Sequence, residues 1–236
     1  MENIGVIVQA RMCSSRLPGK VLHNIAGKPI LQYLLERIER LKTTNNIVVA
    51  TSTDNSDDTI AAFCKKRRIN VYRGALSDVA GRFNGVLTKY AFEAFVRVNG
   101  DSPLIDPDLI DKAIMIYLGG KYDIVTNVLK RSYPKGESIE IVRADIFKDA
   151  YVSMVEAADL EHVTRFFYKK RDDYNILNFQ YREDLSAIQL SIDTPDDLDM
   201  FKDMIKHMDK PHCEYSLDEI LNLYQDIQER TCEKKD

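Results

Sequence analysis

The sequence predicts an α/β fold in which a mostly parallel sheet is flanked by helices. Three observations predict it. Short β-branched runs alternate with longer helical patterns along the 236 residues. The first run, Ile4-Gly5-Val6-Ile7-Val8, is continuously apolar, as in a strand covered on both faces. Several of the helices open on a capping side chain and a proline, at Asp106-Pro107 and Thr194-Pro195. A hydrophobic content of 44% and a charged content of 30% can fill a core of this size and exclude a disordered chain. The 33 Lys and Arg against 37 Asp and Glu give a net charge of -4, which argues against a nucleic-acid partner.

Taken in order, Ile4 to Gln9 is the first strand, and Pro29 to Lys42 a helix with apolar residues at helical spacing. Ile47 to Thr51 is the second strand, and Ser56 caps a helix from Asp57 to Arg68 whose acidic start suits the dipole. Asn70 to Tyr72 is a strand, Asp78 to Tyr90 a helix and Phe95 to Val98 a strand. The helix from Pro107 to Leu118 stops at Gly119-Gly120, and Asp123 to Thr126 is again extended. The pattern then loosens. Gly136 to Val142 and Ile176 to Tyr181 read as extended, Ala144 to Met154 and Asp159 to Arg171 as helical, together an inserted lobe over 127–184 within a single domain over 1–236. Ala187 to Ile192 returns to a core-strand pattern, and Ser216-Leu217-Asp218-Glu219 is a capping box for the last helix. Thr231 to Asp236 should fray.

Apolar runs such as Ile47 to Ala50 fall far short of the ~20 residues of a membrane helix, so no membrane partner is expected. Cys13, Cys64, Cys213 and Cys232 show no CxxC spacing and read as reduced thiols. With no basic leader before Ile4, a cytoplasmic protein is expected.

The richest chemistry lies in Gln9-Ala10-Arg11-Met12-Cys13-Ser14-Ser15-Arg16-Leu17-Pro18-Gly19-Lys20, which leaves the first strand where open α/β sheets bind ligands. Arg11, Arg16 and Lys20 with two hydroxyls suit polyphosphate oxygens; the alternative is a solvated basic loop. Neither GxxxxGK[ST] nor GxGxxG is present. Asp101 in Asn99-Gly100-Asp101-Ser102-Pro103 and Asp193 in Ile192-Asp193-Thr194-Pro195 each follow a strand and precede a proline-initiated helix. Parallel strands would bring both to one rim, where two carboxylates need a cation between them. That cation could be Mg²⁺, completed by substrate phosphates, or each aspartate could be a turn or cap residue.

Ala10-Arg11-x-x-Ser14-x-Arg16-Leu17-Pro18-Gly19-Lys20, Gly27-Lys28-Pro29, Val49-Ala50-Thr51, Gly100-Asp101-x-Pro103-Leu104-Ile105-Asp106 and Asp193-Thr194-Pro195-x-Asp197 occur in this order. Together they resemble the cytidylyltransferases that activate acidic sugars, the acylneuraminate and 3-deoxy-manno-octulosonate enzymes. Arg73-Gly74, Asp78-Val79-x-Gly81-Arg82 and Glu161-His162-Val163-Thr164 look most like the branch labelled spore coat polysaccharide biosynthesis. The resemblance implies a Rossmann-like nucleotidyltransferase fold of glycosyltransferase-A type, with CMP passing from CTP to an anionic acceptor and pyrophosphate released. It implies Mg²⁺ on Asp101 and Asp193, and catalytic roles for Arg11, Arg16, Lys20, Asp101 and Asp193. Gln9, Ala10, Arg11, Ser15, Arg16 and Lys20 would meet the nucleotide's phosphates. Ala50, Thr51 and Asp54 would lie near base or ribose, with Arg73, Gly74, Arg82, Asn99 and Gly100 completing the pocket. It also implies a homodimer formed through the inserted lobe.

Lys135 and Ser138 stand where related enzymes often carry aspartates, which suits a more anionic acceptor. His162 could meet that acceptor or be a helical histidine paired with a carboxylate. Two other functions fit the same fold: a glycosyltransferase using a nucleotide sugar, and a nucleotide-binding protein without turnover. Three cations in one loop favour a triphosphate over a diphosphate sugar.

Overall fold

The computed structural model describes residues 2–233. The chain opens with β1 (Ile4–Gln9), a small antiparallel pair β2 (Asn24–Ile25) and β3 (Lys28–Pro29), α1 (Ile30–Ile38), β4 (Ile47–Ser52), α2 (Asp58–Arg67), β5 (Asn70–Gly74), α3 (Val79–Tyr90), β6 (Ala94–Asn99) and α4 (Pro107–Leu118). It continues through β7 (Ile124–Thr126), β8 (Glu140–Arg143), α5 (Ala144–Val152), α6 (Ala157–Glu161), α7 (Arg165–Lys169), β9 (Ile176–Asn178), α8 (Pro195–His207) and α9 (Leu217–Glu233). Of the terminal stretch expected to fray, 234–236 lie outside the described residues. Among the described residues no helix is long and apolar enough to cross a membrane.

Seven strands form one sheet in the order β5-β4-β1-β6-β8-β7-β9. β1 is flanked by parallel β4 and β6, and β5 continues that parallel set. Side chains alternate across the pleat: Val6 and Val8 enter the core with α1, α4, α8 and α9, while Ile7 enters the core with α3 and α5. Helices on both faces thus explain the unbroken apolar run of β1. Each such fully buried aliphatic side chain contributes about 1.5–3 kcal/mol. The register pairs Gln9 with both Ala50 and Asn99, so β1 and β6 end level, β4 runs two residues further, and all three release their loops at one rim. Gly100 is needed there: a Cβ on it would stand 2.9 Å from the Gln9 carbonyl oxygen.

The expected caps of α4, α8 and α9 are present. Asp106 accepts from the Asp108 amide at 2.9 Å with Pro107 opening the helix. Thr194 and Asp197 form a reciprocal box ahead of α8, and Ser216 and Glu219 another ahead of α9.

Several expectations are corrected. α1 ends at Ile38 rather than Lys42 because the α4 carboxylate of Asp111 takes the amides of Lys42 and Thr43, at 3.0 and 3.1 Å, and draws the chain away. Asp54, not Ser56, caps the next turn, accepting from the Ser56 amide at 2.9 Å, and α2 starts only at Asp58. The stretch expected as one helix from Asp159 to Arg171 is two short helices, α6 and α7, broken at Val163, whose φ is +38°. Ala187 to Ile192 is no sheet strand. It makes an isolated bridge, Lys135 with Gln189, and hands its Leu190 and Ile192 amides to the carbonyls of Lys135 and Asp101. Within the segment 127–184, β8 runs antiparallel between β6 and β7, and β9 extends the sheet beyond β7.

Candidate active site

The loop after β1 is held by its own backbone and by one buried carboxylate. The Gly19 amide closes on the Met12 carbonyl at 2.9 Å, with Gly19 at φ +72°. Asp57 is fully buried; it accepts the Met12 amide at 2.7 Å through Oδ1, and the Ser52 amide and hydroxyl at 3.0 and 2.5 Å through Oδ2. The loop is thereby fastened to the end of β4. Its side chains line a cavity of about 240 Å³ at the rim, together with residues following β6 and residue Asp193.

At the base of this cavity Lys20 meets both aspartates. Its Nζ lies 2.6 Å from Asp101 Oδ2, 2.9 Å from Asp193 Oδ1 and 2.8 Å from the Ile192 carbonyl. Burial alone would lower the Lys20 ammonium, but the two carboxylates outweigh it and hold it above the ordinary lysine value. Burial likewise works to raise the Asp193 carboxyl, and Lys20 and Arg16 outweigh it and hold it below the ordinary value. The carboxylates expected to converge over a cation do converge, and the cation between them is the Lys20 ammonium.

The two arginines of the loop are also engaged. Arg11 meets Glu161 at the end of α6 fork to fork, Nη2 to Oε1 at 2.6 Å and Nη1 to Oε2 at 3.2 Å. Arg16 reaches Asp193 Oδ1 at 3.1 Å with 62% of its side chain exposed, so the contact it offers is at the surface rather than buried. Arg82 is almost fully buried on α3 and donates to the Ala75 and Leu76 carbonyls at 2.6 and 3.0 Å.

Gln9, Ala10, Arg11, Ser15, Arg16, Lys20, Arg82, Asn99, Gly100, Asp101 and Asp193 all line the one cavity. Ala50, Thr51, Asp54, Arg73 and Gly74 do not. Ala50 and Thr51 are buried in β4. Arg73 is turned to the Ser52 and Asp54 carbonyls, at 2.7 and 3.1 Å, and to Asp58 at 2.7 Å. Gly74 accepts the Thr53 amide, and Asp54 is occupied as a cap.

The donor set at the rim suits a hard divalent cation. Asp101 and Asp193, 24% and 29% exposed, converge on the point that Lys20 Nζ fills, and two such carboxylates beside a loop bearing Arg11 and Arg16 are oxygen donors of the type a hard divalent cation takes. Two residues that shape the site were not singled out by sequence. Asp57 reads there as one of two acidic residues opening a helix, and Glu161 only as part of a short motif; neither spacing signals a contact across the fold.

A sequence profile of the family described as "Cytidylyltransferase" matches residues 5–229. The spore coat polysaccharide biosynthesis protein SpsF of Bacillus subtilis is 33% identical over 213 residues, 86% of each chain. A 3-deoxy-manno-octulosonate cytidylyltransferase of Geobacter sulfurreducens is 38% identical over 112 residues, 48% of this chain and 44% of that protein. Among solved structures, a cytidylyltransferase from Leptospira borgpetersenii superposes with a TM-score of 0.90 at 27% identity, covering 98% of this chain and 96% of that one.

Proposed function

The chain belongs to the cytidylyltransferase family, and from that premise we propose that it transfers CMP from CTP to an acidic sugar or other anionic acceptor, releasing pyrophosphate in surface polysaccharide or glycoconjugate precursor synthesis. The observation that carries the reading is the Lys20 cluster with Asp101 and Asp193, facing the arginine-bearing loop across one cavity. An acceptor oxygen attacks the α-phosphorus, the bond to the bridging oxygen breaks, and pyrophosphate departs with its electron pair. The residues serve this step by position and charge, which is most of what phosphoryl chemistry asks of a protein.

In this reading Arg11 and Arg16 exchange Glu161 and Asp193 for phosphate oxygens, while Asp57 keeps the loop in place. Lys20 faces the developing charge on the leaving group. Asp101 and Asp193 would hold Mg²⁺, which supplies neutralisation of phosphate oxygens when bound. Asn99, whose buried Oδ1 has no hydrogen-bond partner among the described residues, and Gly100 line the same cavity.

The test is a panel of nucleotides with Mg²⁺ and anionic acceptors, read by pyrophosphate release and by mass spectrometry of the CMP adduct. Turnover is expected with CTP, and Asp101→Asn or Asp193→Asn is expected to lose at least ~100-fold while melting near wild type. Wild-type rates in both variants would remove the assigned roles. Transfer from a nucleotide sugar without pyrophosphate release would favour a glycosyltransferase, and CTP binding without turnover a nucleotide-binding protein.

A further inference from the structure

A second cavity of about 510 Å³ adjoins the first, with Asn99 lining both. Its charges can be assigned one by one. Arg97 of β6 is spent on Glu140 of β8, Nη1 to Oε2 at 2.5 Å. The other oxygen of Glu140 accepts the hydroxyls of Thr164 and Tyr168, at 2.6 and 2.5 Å, so this buried carboxylate is fully engaged. Arg165 and Lys169, on the exposed side, pair with Glu156 and Asp159. Arg131 is different. Its Nη2 donates to Ser138 Oγ at 3.0 Å, and its Nη1 is buried with no hydrogen-bond partner among the described residues. No carboxylate within ion-pair distance of Arg131 is found among the described residues, and Glu140, whose charge acts on it from farther off, is already paired with Arg97.

A buried donor left unpaired is costly, and a guanidinium with a hydroxyl beside it matches the two oxygens of a carboxylate or phosphate. We infer that the second cavity seats an anionic group of the acceptor on Arg131 and Ser138, making Arg131 a specificity-determining residue that selects acceptors charged away from their attacking oxygen. The inference rests on the proposed transfer reaction for the word acceptor, but the anion site itself does not. Ser138 stands at a position read from sequence as a departure toward anionic acceptors, and the structure gives that departure a partner in Arg131.

The experiment uses the intact protein with saturating CTP, so that the first cavity is filled. Inorganic phosphate is titrated in one arm and acetate in the other, read by the amide signals of Ser138, Thr164 and Tyr168 in nitrogen-15 spectra. Saturable shifts are expected in wild type, and the arm with the tighter midpoint names phosphate or carboxylate as the group. Arg131→Gln is expected to weaken the midpoint at least ~10-fold, with Arg131→Lys in between. Ser138→Ala, which leaves the guanidinium in place, gives a smaller weakening and serves if Arg131→Gln does not fold. Absence of shifts in wild type, or equal midpoints in wild type and folded Arg131 variants, overturns the inference. CTP affinity, measured in the same samples, is expected to be equal in all variants; failure of CTP to bind wild type counts against the transfer reaction while the shifts still decide the anion site.

Discussion

Lys20 carries one positive charge and meets two carboxylates and a carbonyl at 2.6 to 2.9 Å, so the second negative charge is balanced only by the exposed Arg16 contact at 3.1 Å from the loop side. The charges around it are arranged as exchangeable pairs. Arg11 and Glu161, each more than three-tenths exposed, form a pair worth little to stability but able to compete with a ligand for the guanidinium. Glu161→Gln is therefore expected to tighten CTP binding about 3-fold or more, and Arg11→Ala to weaken it about 10-fold, in calorimetric titrations; equal effects of the same sign would contradict the exchange. Asp57 works through the backbone. Replacing it by alanine leaves three buried donors without their acceptor and is expected to cost about 1–3 kcal/mol in denaturant unfolding. At this scale the sequence was readable where one loop carries the side chains that line the cavity, as from Gln9 to Lys20. It was not readable for Arg73, whose donors are consumed by Ser52, Asp54 and Asp58, nor for Arg11, whose partner lies 150 positions away.

Among the elements, strands with continuous apolar runs could be read directly, since β1, β4 and β6 are buried on both faces. β8 could not. Its Glu140 is acceptable in a buried strand only because the antiparallel register sets it opposite Arg97, and half of that pair is invisible in either strand alone. The break between α6 and α7 is hidden for a related reason. Val163 at φ +38° is an unfavourable backbone for a β-branched residue, held by the burial of its side chain, and it allows Glu161 to line the first cavity while His162 lines the second. The caps of α4, α8 and α9 were readable and the Asp54 cap was not, and caps differ in consequence. Asp106 caps α4 and also accepts the Leu217 amide at 2.9 Å, tying the start of α9 to the start of α4, whereas Asp54 is exposed and caps only its own turn. Asp106→Ala is expected to destabilise by about 2–3 kcal/mol and Asp54→Ala by less in urea unfolding. Equal losses would show that the α9 contact contributes nothing.

Over the whole molecule, parallel β1, β4 and β6 deliver the loops that follow them to one rim, and Asp193 reaches the same rim through loop pairing rather than through a strand. The convergence of Asp101 with Asp193 was thus foreseeable from parallel topology, while the route that delivers Asp193 was not. Behind the rim lies a buried charge cluster. Arg37 donates to the Ile105, His212 and Tyr215 carbonyls, and Glu137 accepts the Asp106 amide at 2.9 Å. Burial, aided by the Asp106 charge and opposed by Arg37, pushes the Glu137 carboxyl up to about 8. The folded state thus holds a proton that the unfolded chain releases at its ordinary carboxylate pKa. Stability from this group is complete at acid pH and is lost as pH rises toward about 8. Denaturant midpoints are expected to fall between pH 6 and pH 8.5 by an amount on the order of a few kcal/mol, and Glu137→Gln to flatten that slope. An unchanged slope in the variant would place the titration elsewhere. The most direct measurement concerns Lys20, where both aspartates and the loop meet: calorimetric titration of CTP with Mg²⁺ into wild type and Lys20→Met. Saturable binding weakened at least ~10-fold in the variant is expected; equal affinity in the two proteins would contradict a triphosphate site at this rim.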